Sequence, residues 1–555
     1  MFARSLLLPL VFLVSCSGGD PVPTEDTEPV AADGPRDTLV VGLLSDVKHL
    51  LPIVYETSAD SQVIQAINMP MIDSQFDCSI KKQPGLVERW EWKNDGTVLW
   101  YKLREDITWS DGKPVTAHDV AFSYDLMRDP DVSSPRAQYV EKMVEGKSPV
   151  VLGDYELEFH FKYAYDRDTQ VAHATFGAHP KHLLEGADRK TLRGHALNKA
   201  PVGNGPWKIG SYEPNNRLVL AANDAFTGPA EMKPKLNRVI FRVIPEYATR
   251  LLELQNGTID FMQSINVADA DLIREQHPEI NLKRRGWRSM DYVAWNLSNP
   301  MFADVEVRKA LALSVDIEGM MGKLLTSKTG EVFARQATST ITPALCNIHN
   351  DEVKPLPHNL ETAKELLAKA GWTDTDGDGW VDKAGKPFEF TITTNNGNKR
   401  RKDAATLMQA QWKKVGVKAN LELLEANAFF DNLRKRDYEA AVSGWSASMF
   451  VDPADAWHSD TPEIRREFNF TGYSNKRVDQ LIERGLKTPL PNEAAPIWRE
   501  MQQIIYDDQP YLFLWWMDEI VGVHSRFENA QVNVLSVLYH LHEWEVPPDR
   551  VKYNR

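Results

Sequence analysis

The chain has 555 residues, 42% of them hydrophobic and 26% charged, which suits a soluble globular protein of about three domains. Its formal charge of −14 excludes nucleic acid and anionic membrane surfaces as principal partners, because both require a basic face. The 16 tryptophans and 16 tyrosines belong chiefly to the core, although large aromatics also line ligand clefts.

At the N-terminus, Arg4 precedes an apolar run over residues 6–14 (LLLPLVFLV) that is too short to cross a bilayer and ends in Leu13-Val14-Ser15-Cys16. This resembles the bacterial lipobox. It implies a signal peptide over residues 1–15 and acylation of Cys16, whose acyl chains would bury methylenes in the membrane. Residues 16–37 are rich in Pro, Gly, Ser and acid, cannot bury apolar surface, and read as a flexible tether. The folded part is therefore expected in the periplasm or on the outer face of the cell membrane. Cys78 and Cys346 remain, and an extracytoplasmic location permits their pairing without deciding it. No CxxC or zinc-type spacing occurs.

Strand-like and helix-like periods alternate along the rest of the chain, the pattern of α/β architecture. Residues 39–44 read as a buried opening strand. Residues 88–93 and 98–103 form a hairpin turned by Asn94-Asp95-Gly96. Thr116 and Asp119 make a capping box for a helix carrying Val120, Tyr124 and Met127 on one face. Residues 217–221 and 238–244 are further β runs. Asp304 caps a helix with Val307, Leu311 and Val315; Asn359 caps another with Ala363, Leu367 and Ala370, stopped by Gly371. Catalytic signatures are missing: there is no HExxH, GxSxG, GxGxxG or GxxxxGK[ST], and the 14 histidines are scattered.

Six segments in order resemble one family. Residues 84–91 (PGLVERWE), 103–124 (LREDITWSDGKPVTAHDVAFSY), 202–208 (VGNGPWK), 254–261 (LQNGTIDF), 304–316 (DVEVRKALALSVD) and 470–479 (FTGYSNKRVD) are similar to the oligopeptide/dipeptide-type solute-binding proteins of ABC importers, solute-binding family 5. The resemblance implies a periplasmic-binding-protein type II-like, two-lobe fold of the Venus-flytrap kind, with an additional third domain. Lobe 1 would comprise residues 38–75, 200–290 and 515–555, domain II residues 76–199, and lobe 2 residues 291–514. Hinge strands would let a monomer close on a small solute and present it to a permease and ATPase complex, with no catalytic residues and no cofactor.

The resemblance also places the ligand between the lobes. Peptide binders of the family carry an acid three residues beyond a Gly-Trp pair, to fix the terminal ammonium; here Gly444-Trp445 is followed by Ser448. Asp452 is the substitute anchor. Tyr292, Trp445 and Trp516 are expected as aromatic contacts, and Glu56, Thr57 and Ser58 as the first-lobe loop meeting the ligand. Without the usual acid an oligosaccharide is an alternative to a peptide, and a signalling receptor or a secreted hydrolase are further alternatives. Separately, Asp374, Asp376, Asp378 and Asp382 hold positions 1, 3, 5 and 9 of an EF-hand-like loop, but position 12 is Gly385. A structural calcium ion and a tight acidic turn both fit that spacing, and the missing bidentate ligand favours the turn.

Overall fold

The structure is a computed structural model and describes residues 38–551 other than 79, 148, 397, 463 and 467. Cys16, the signal segment and the tether lie outside the described residues. No helix among the described residues is long and apolar enough to cross a membrane.

Local chemistry sets the early elements. The opening strand Thr38–Leu43 is buried and pairs in parallel with Arg238–Val243. Lys93 faces Val98 across the expected hairpin of Val87–Lys93 and Val98–Leu103. The Thr116 N–H and hydroxyl both donate to Asp119 at the start of helix Ala117–Arg128, where otherwise orphaned backbone groups need partners. Asp304 and Asn359 cap helices Val305–Leu313 and Leu360–Lys369, and Gly371 supplies the positive φ of 86° that ends the latter. Val315 falls beyond the first of these helices and is buried on its own account.

One 11-stranded sheet runs through both lobes. Strands Trp207–Glu213, Arg217–Ala222, Arg238–Val243, Thr38–Leu43 and Phe261–Met262 form its first half, and Ala440–Ser446, Glu389–Asn395 and Lys418–Leu424 its far end. Two long antiparallel strands, Ile280–Trp295 and Tyr511–His524, join the halves. Their pairing breaks between Arg285 and Ser289, where Trp287 takes φ 54°, a left-handed value costly for a bulky residue. Here the ladder is interrupted.

A separate four-stranded sheet, ordered Val87–Lys93, Val98–Leu103, Glu156–His160, Val150–Gly153, builds the third unit. Its core, including Tyr101, Trp109, Tyr124 and Phe159, is continuous with apolar residues of the second lobe such as Trp457, Phe470 and Trp498. The other face of the second lobe packs around Trp295, Phe390 and Trp412, and the first lobe around Leu39, Phe241 and Trp544. Cys78, at the turn of the hairpin Ile72–Phe76/Ile80–Pro84, forms a disulfide with Cys346 of the second lobe, with Cα atoms 5.0 Å apart. The question left open by sequence is thus answered by proximity that no spacing rule could reveal.

Candidate functional site: the interlobe cleft

Two cavities lie along the seam, and Ser446 borders both. The first, of about 530 Å³, is walled by Tyr139, Glu141, Lys142 and His173 of the third unit and by Trp445, Ser448, Asp452 and Trp457 of the second lobe. The second, of about 550 Å³, sits at the break in the joining strands beside Arg285, Arg288, Arg400, Asp518 and Glu519.

The segment between them begins as strand Ala440–Ser446, which pairs with Ile280–Trp295 along its length. On its other side the parallel neighbour Glu389–Asn395 reaches only Ala440 and Ala441. Beyond that point the Thr394 hydroxyl donates to the Val442 carbonyl and the edge has no strand partner among the described residues; Ser446 and Ser448 are exposed while Ala447 is buried. The Ala447 N–H donates to the Arg288 carbonyl and locks the inner face, leaving the outer face as open strand edge. Gly444 is required beneath it: a Cβ there would sit 2.6 Å from the Met290 carbonyl and 2.9 Å from Asp291 Oδ1.

Asp291, fully buried, anchors the floor. Burial pushes its carboxyl up, but the Arg400 and Arg401 guanidiniums at 2.7 and 3.0 Å outweigh burial and hold it below the usual carboxylate range. Trp515 Nε1 donates to the same carboxylate at 3.2 Å. This pairing fixes Arg400 at the second cavity, because releasing either partner would strand a buried charge.

Two charges in the cavities are unmatched. Arg288 makes no ion pair or side-chain hydrogen bond among the described residues; burial, with Arg285 nearby, pushes its guanidinium down to about 10. Glu141 is likewise without an ion-pair partner among the described residues, and burial together with Asp455 raises its carboxyl above the usual range. For the half-buried Arg288 a charge lacking a partner is costly, and a ligand of opposite charge removes the cost; Glu141 is exposed and open to a ligand from solvent.

The residues singled out from sequence divide sharply. Gly444, Trp445, Ser448 and Asp452 come together at the first cavity or its floor. Trp445 stacks on Phe470 with ring centres 5.2 Å apart. Asp452 already has a partner, Lys142 Nζ at 2.6 Å, so it acts as a bridge across the seam rather than a free anchor. Trp516 is fully buried and donates to the Ser339 carbonyl, and Tyr292 is fully buried against Tyr511 at 4.0 Å; both are floor residues beyond a ligand's reach in this conformation. Aromatic type marked them, but the inward register of their strands decided their place. Thr57 caps helix Ser58–Ile67 in a capping box with Asp60, and Ser58 is its first residue. Glu56 pairs with Arg193 at 2.8 Å, and none of the three borders either cavity. In the acidic loop, Asp374 accepts from the N–H groups of Gly377 and Gly379, Asp376 from Asp378, Asp378 from Trp380, and Asp382 from Thr375, which makes a hydrogen-bonded turn; one carboxylate oxygen each from Asp374, Asp376 and Asp382 also lies within 4.8 Å of the others. Glu141 and Arg288 escaped the sequence reading. The basic run Lys283-Arg284-Arg285 before Gly286-Trp287-Arg288 was the only local signal for the latter.

Residues 81–464 match the family model of bacterial extracellular solute-binding proteins, family 5. The chain belongs to this family. Among its relatives, the oligopeptide-binding protein AppA of Bacillus subtilis is 30% identical over 549 residues, covering 98% of each chain. The periplasmic oligopeptide-binding protein OppA of Salmonella typhimurium is 27% identical over 491 residues, covering 85% of this chain and 86% of its own. The solved structure of Bacillus subtilis AppA in complex with a nonapeptide has a TM-score of 0.74 at 28% identity, covering 93% of this chain and all of that one. This solute-binding protein therefore has the two-lobe architecture of the family, and its relatives are binding proteins rather than enzymes.

Proposed function

We propose that this family-5 solute-binding protein captures a peptide in the seam between its lobes and delivers it to an ABC importer. The single observation that carries the reading is the open, alternately exposed edge at Ser446–Ala447–Ser448, flanked by a cavity with an unmatched carboxylate and a cavity with an unmatched guanidinium. An extended peptide satisfies such an edge by strand addition, and its two ends carry the complementary charges. Glu141 takes the ammonium in place of the acid absent at Ser448, and Arg288 takes the carboxylate. Sugars would leave both charges unmatched. The oligopeptide binders among the relatives point the same way.

Closure is a rotation of the lobes about the interrupted ladder at residues 286–288. The peptide biases it by touching both sides of the seam. Acylated Cys16 holds the monomer outside the membrane within reach of the permease. Isothermal titration with tri- to nonapeptides tests the reading: free peptides bind, and versions acetylated at the N-terminus and amidated at the C-terminus bind at least tenfold more weakly. Equal binding of blocked and free peptides, or binding of oligosaccharides alone, refutes it.

A further inference from the structure

Apart from the cleft, a cavity of about 420 Å³ on the first lobe is bordered by Asp73, His540 and His542. Two imidazoles and a carboxylate converge beside it. His540 Nδ1 stands 3.2 Å and His542 Nε2 3.9 Å from Glu543 Oε1, and one donor atom from each of the three residues lies within 4.8 Å of the others. Ligands about 2.0–2.2 Å from a tetrahedral ion are spaced by roughly 3.3–3.6 Å, which the separations of Glu543 from the two histidines, 3.2 and 3.9 Å, bracket.

The surroundings are those of a supported site. The far nitrogen of His540, Nε2, faces Asp73 Oδ2 at 3.5 Å and has no other partner among the described residues. Asp73 is itself fixed by the Ser74 N–H at 2.8 Å. A carboxylate behind a ligating imidazole sets its tautomer and orientation. The other oxygen of Glu543 is taken by Gln531 Nε2 at 3.2 Å, which leaves Oε1 directed at the histidines. His540 holds a left-handed φ of 46° just before the turn Leu541–Glu543, and its ring stacks on Tyr539 at 3.9 Å. Both histidine side chains are more than four-fifths buried, at 15% and 13% exposure. A backbone held in a sparsely populated conformation to aim a ring is the kind of strain found at ligand sites.

We propose that His540, His542 and Glu543 bind a divalent transition-metal ion of the zinc class, with Asp73 as the positioning residue behind His540 and the fourth coordination position facing the cavity. Two nitrogens and one oxygen suit zinc, copper or nickel and reject calcium and magnesium, which prefer all-oxygen shells. The ion would rigidify the turn Leu541–Glu543, whose neighbour Tyr539 donates a hydrogen bond to the Ser74 carbonyl of strand Ile72–Phe76. The site is independent of the peptide reading.

Zinc chloride titrated into the chelator-treated full-length protein should bind at one equivalent with micromolar or tighter affinity and raise the Tm. Cobalt(II) at the same site should give the visible d–d bands of a four-coordinate ion. His542→Ala and Glu543→Gln should abolish the bands, and Asp73→Asn should weaken zinc by about ten- to hundredfold while retaining them. Should a variant fold poorly, zinc protection of His540 and His542 from diethyl pyrocarbonate in the unaltered chain is the second measurement. The proposal is overturned by the absence of saturable binding, by binding unchanged in the His540→Ala/His542→Ala variant, or by binding lost only when Asp374 and Asp376 are changed to Asn.

Discussion

The Cys78–Cys346 bridge makes a covalent link between a hairpin on the first-lobe side and the second lobe, in addition to the two joining strands. Replacing both cysteines by serine removes it while altering little else, since each Ser is nearly isosteric. The bridge closes a separation of 268 residues. In the chain-entropy treatment a loop of that length restricts the unfolded chain by about 19 cal/mol/K, or about 5.6 kcal/mol at 25 °C, near the top of what native bridges contribute. A loss of about 3–5 kcal/mol is therefore expected, read as a lower denaturant midpoint in equilibrium unfolding without ligand. Freed of the tie, the lobes should also separate further, and peptide dissociation should accelerate with little change in the association rate. A loss below about 1 kcal/mol in a correctly folded variant, or two free thiols in protein secreted under oxidising conditions, would refute the reasoning.

Four further outcomes are expected. Arg288→Met should weaken peptides with a free carboxyl end by about 1.5–3 kcal/mol, seen by titration calorimetry, and leave C-terminally amidated ones unaffected. Because burial and Asp455 raise the Glu141 carboxyl, ammonium binding there should fade as pH falls through that raised value; Glu141→Gln or N-acetylation of the peptide should remove the pH dependence. His179 is held neutral: its Nε2 accepts from the Ile53 N–H at 3.1 Å, and burial lowers it from 6.5 to about 3. Its contribution is complete above pH 6.5 and is lost as pH falls toward 3, at most about 5 kcal/mol; acid unfolding of His179→Gln should lack that component. Gly444→Ala should cost about 1–3 kcal/mol in thermal unfolding, because the added methyl meets the Met290 carbonyl oxygen as well as the Arg401 and Asp291 side chains, which are held in place by their own ion pair.

How much was legible in advance followed from how local each interaction is. The capping box at Thr116 and Asp119, the Asn94–Gly96 turn and the Asn359 cap are written within a few neighbouring residues, and each formed where expected. Trp516 and Tyr292 were misplaced because aromatic type is the same on either face of a strand, and only the register of the strand Tyr511–His524 against Ile280–Trp295 turns them inward. Lys142 meets Asp452 across 310 positions of chain, which no pattern could announce.

By itself, then, the sequence determined the α/β class, the family and the order of elements, since these rest on periodicity, capping and ordered motifs that neighbouring residues carry. Only the tertiary structure decided the cysteine pairing, which charges along the seam lack a partner among the described residues, and that Glu56 meets Arg193 away from both cavities. Those features are differences in burial and distance between residues remote in the chain, and they come into being when the sheet closes.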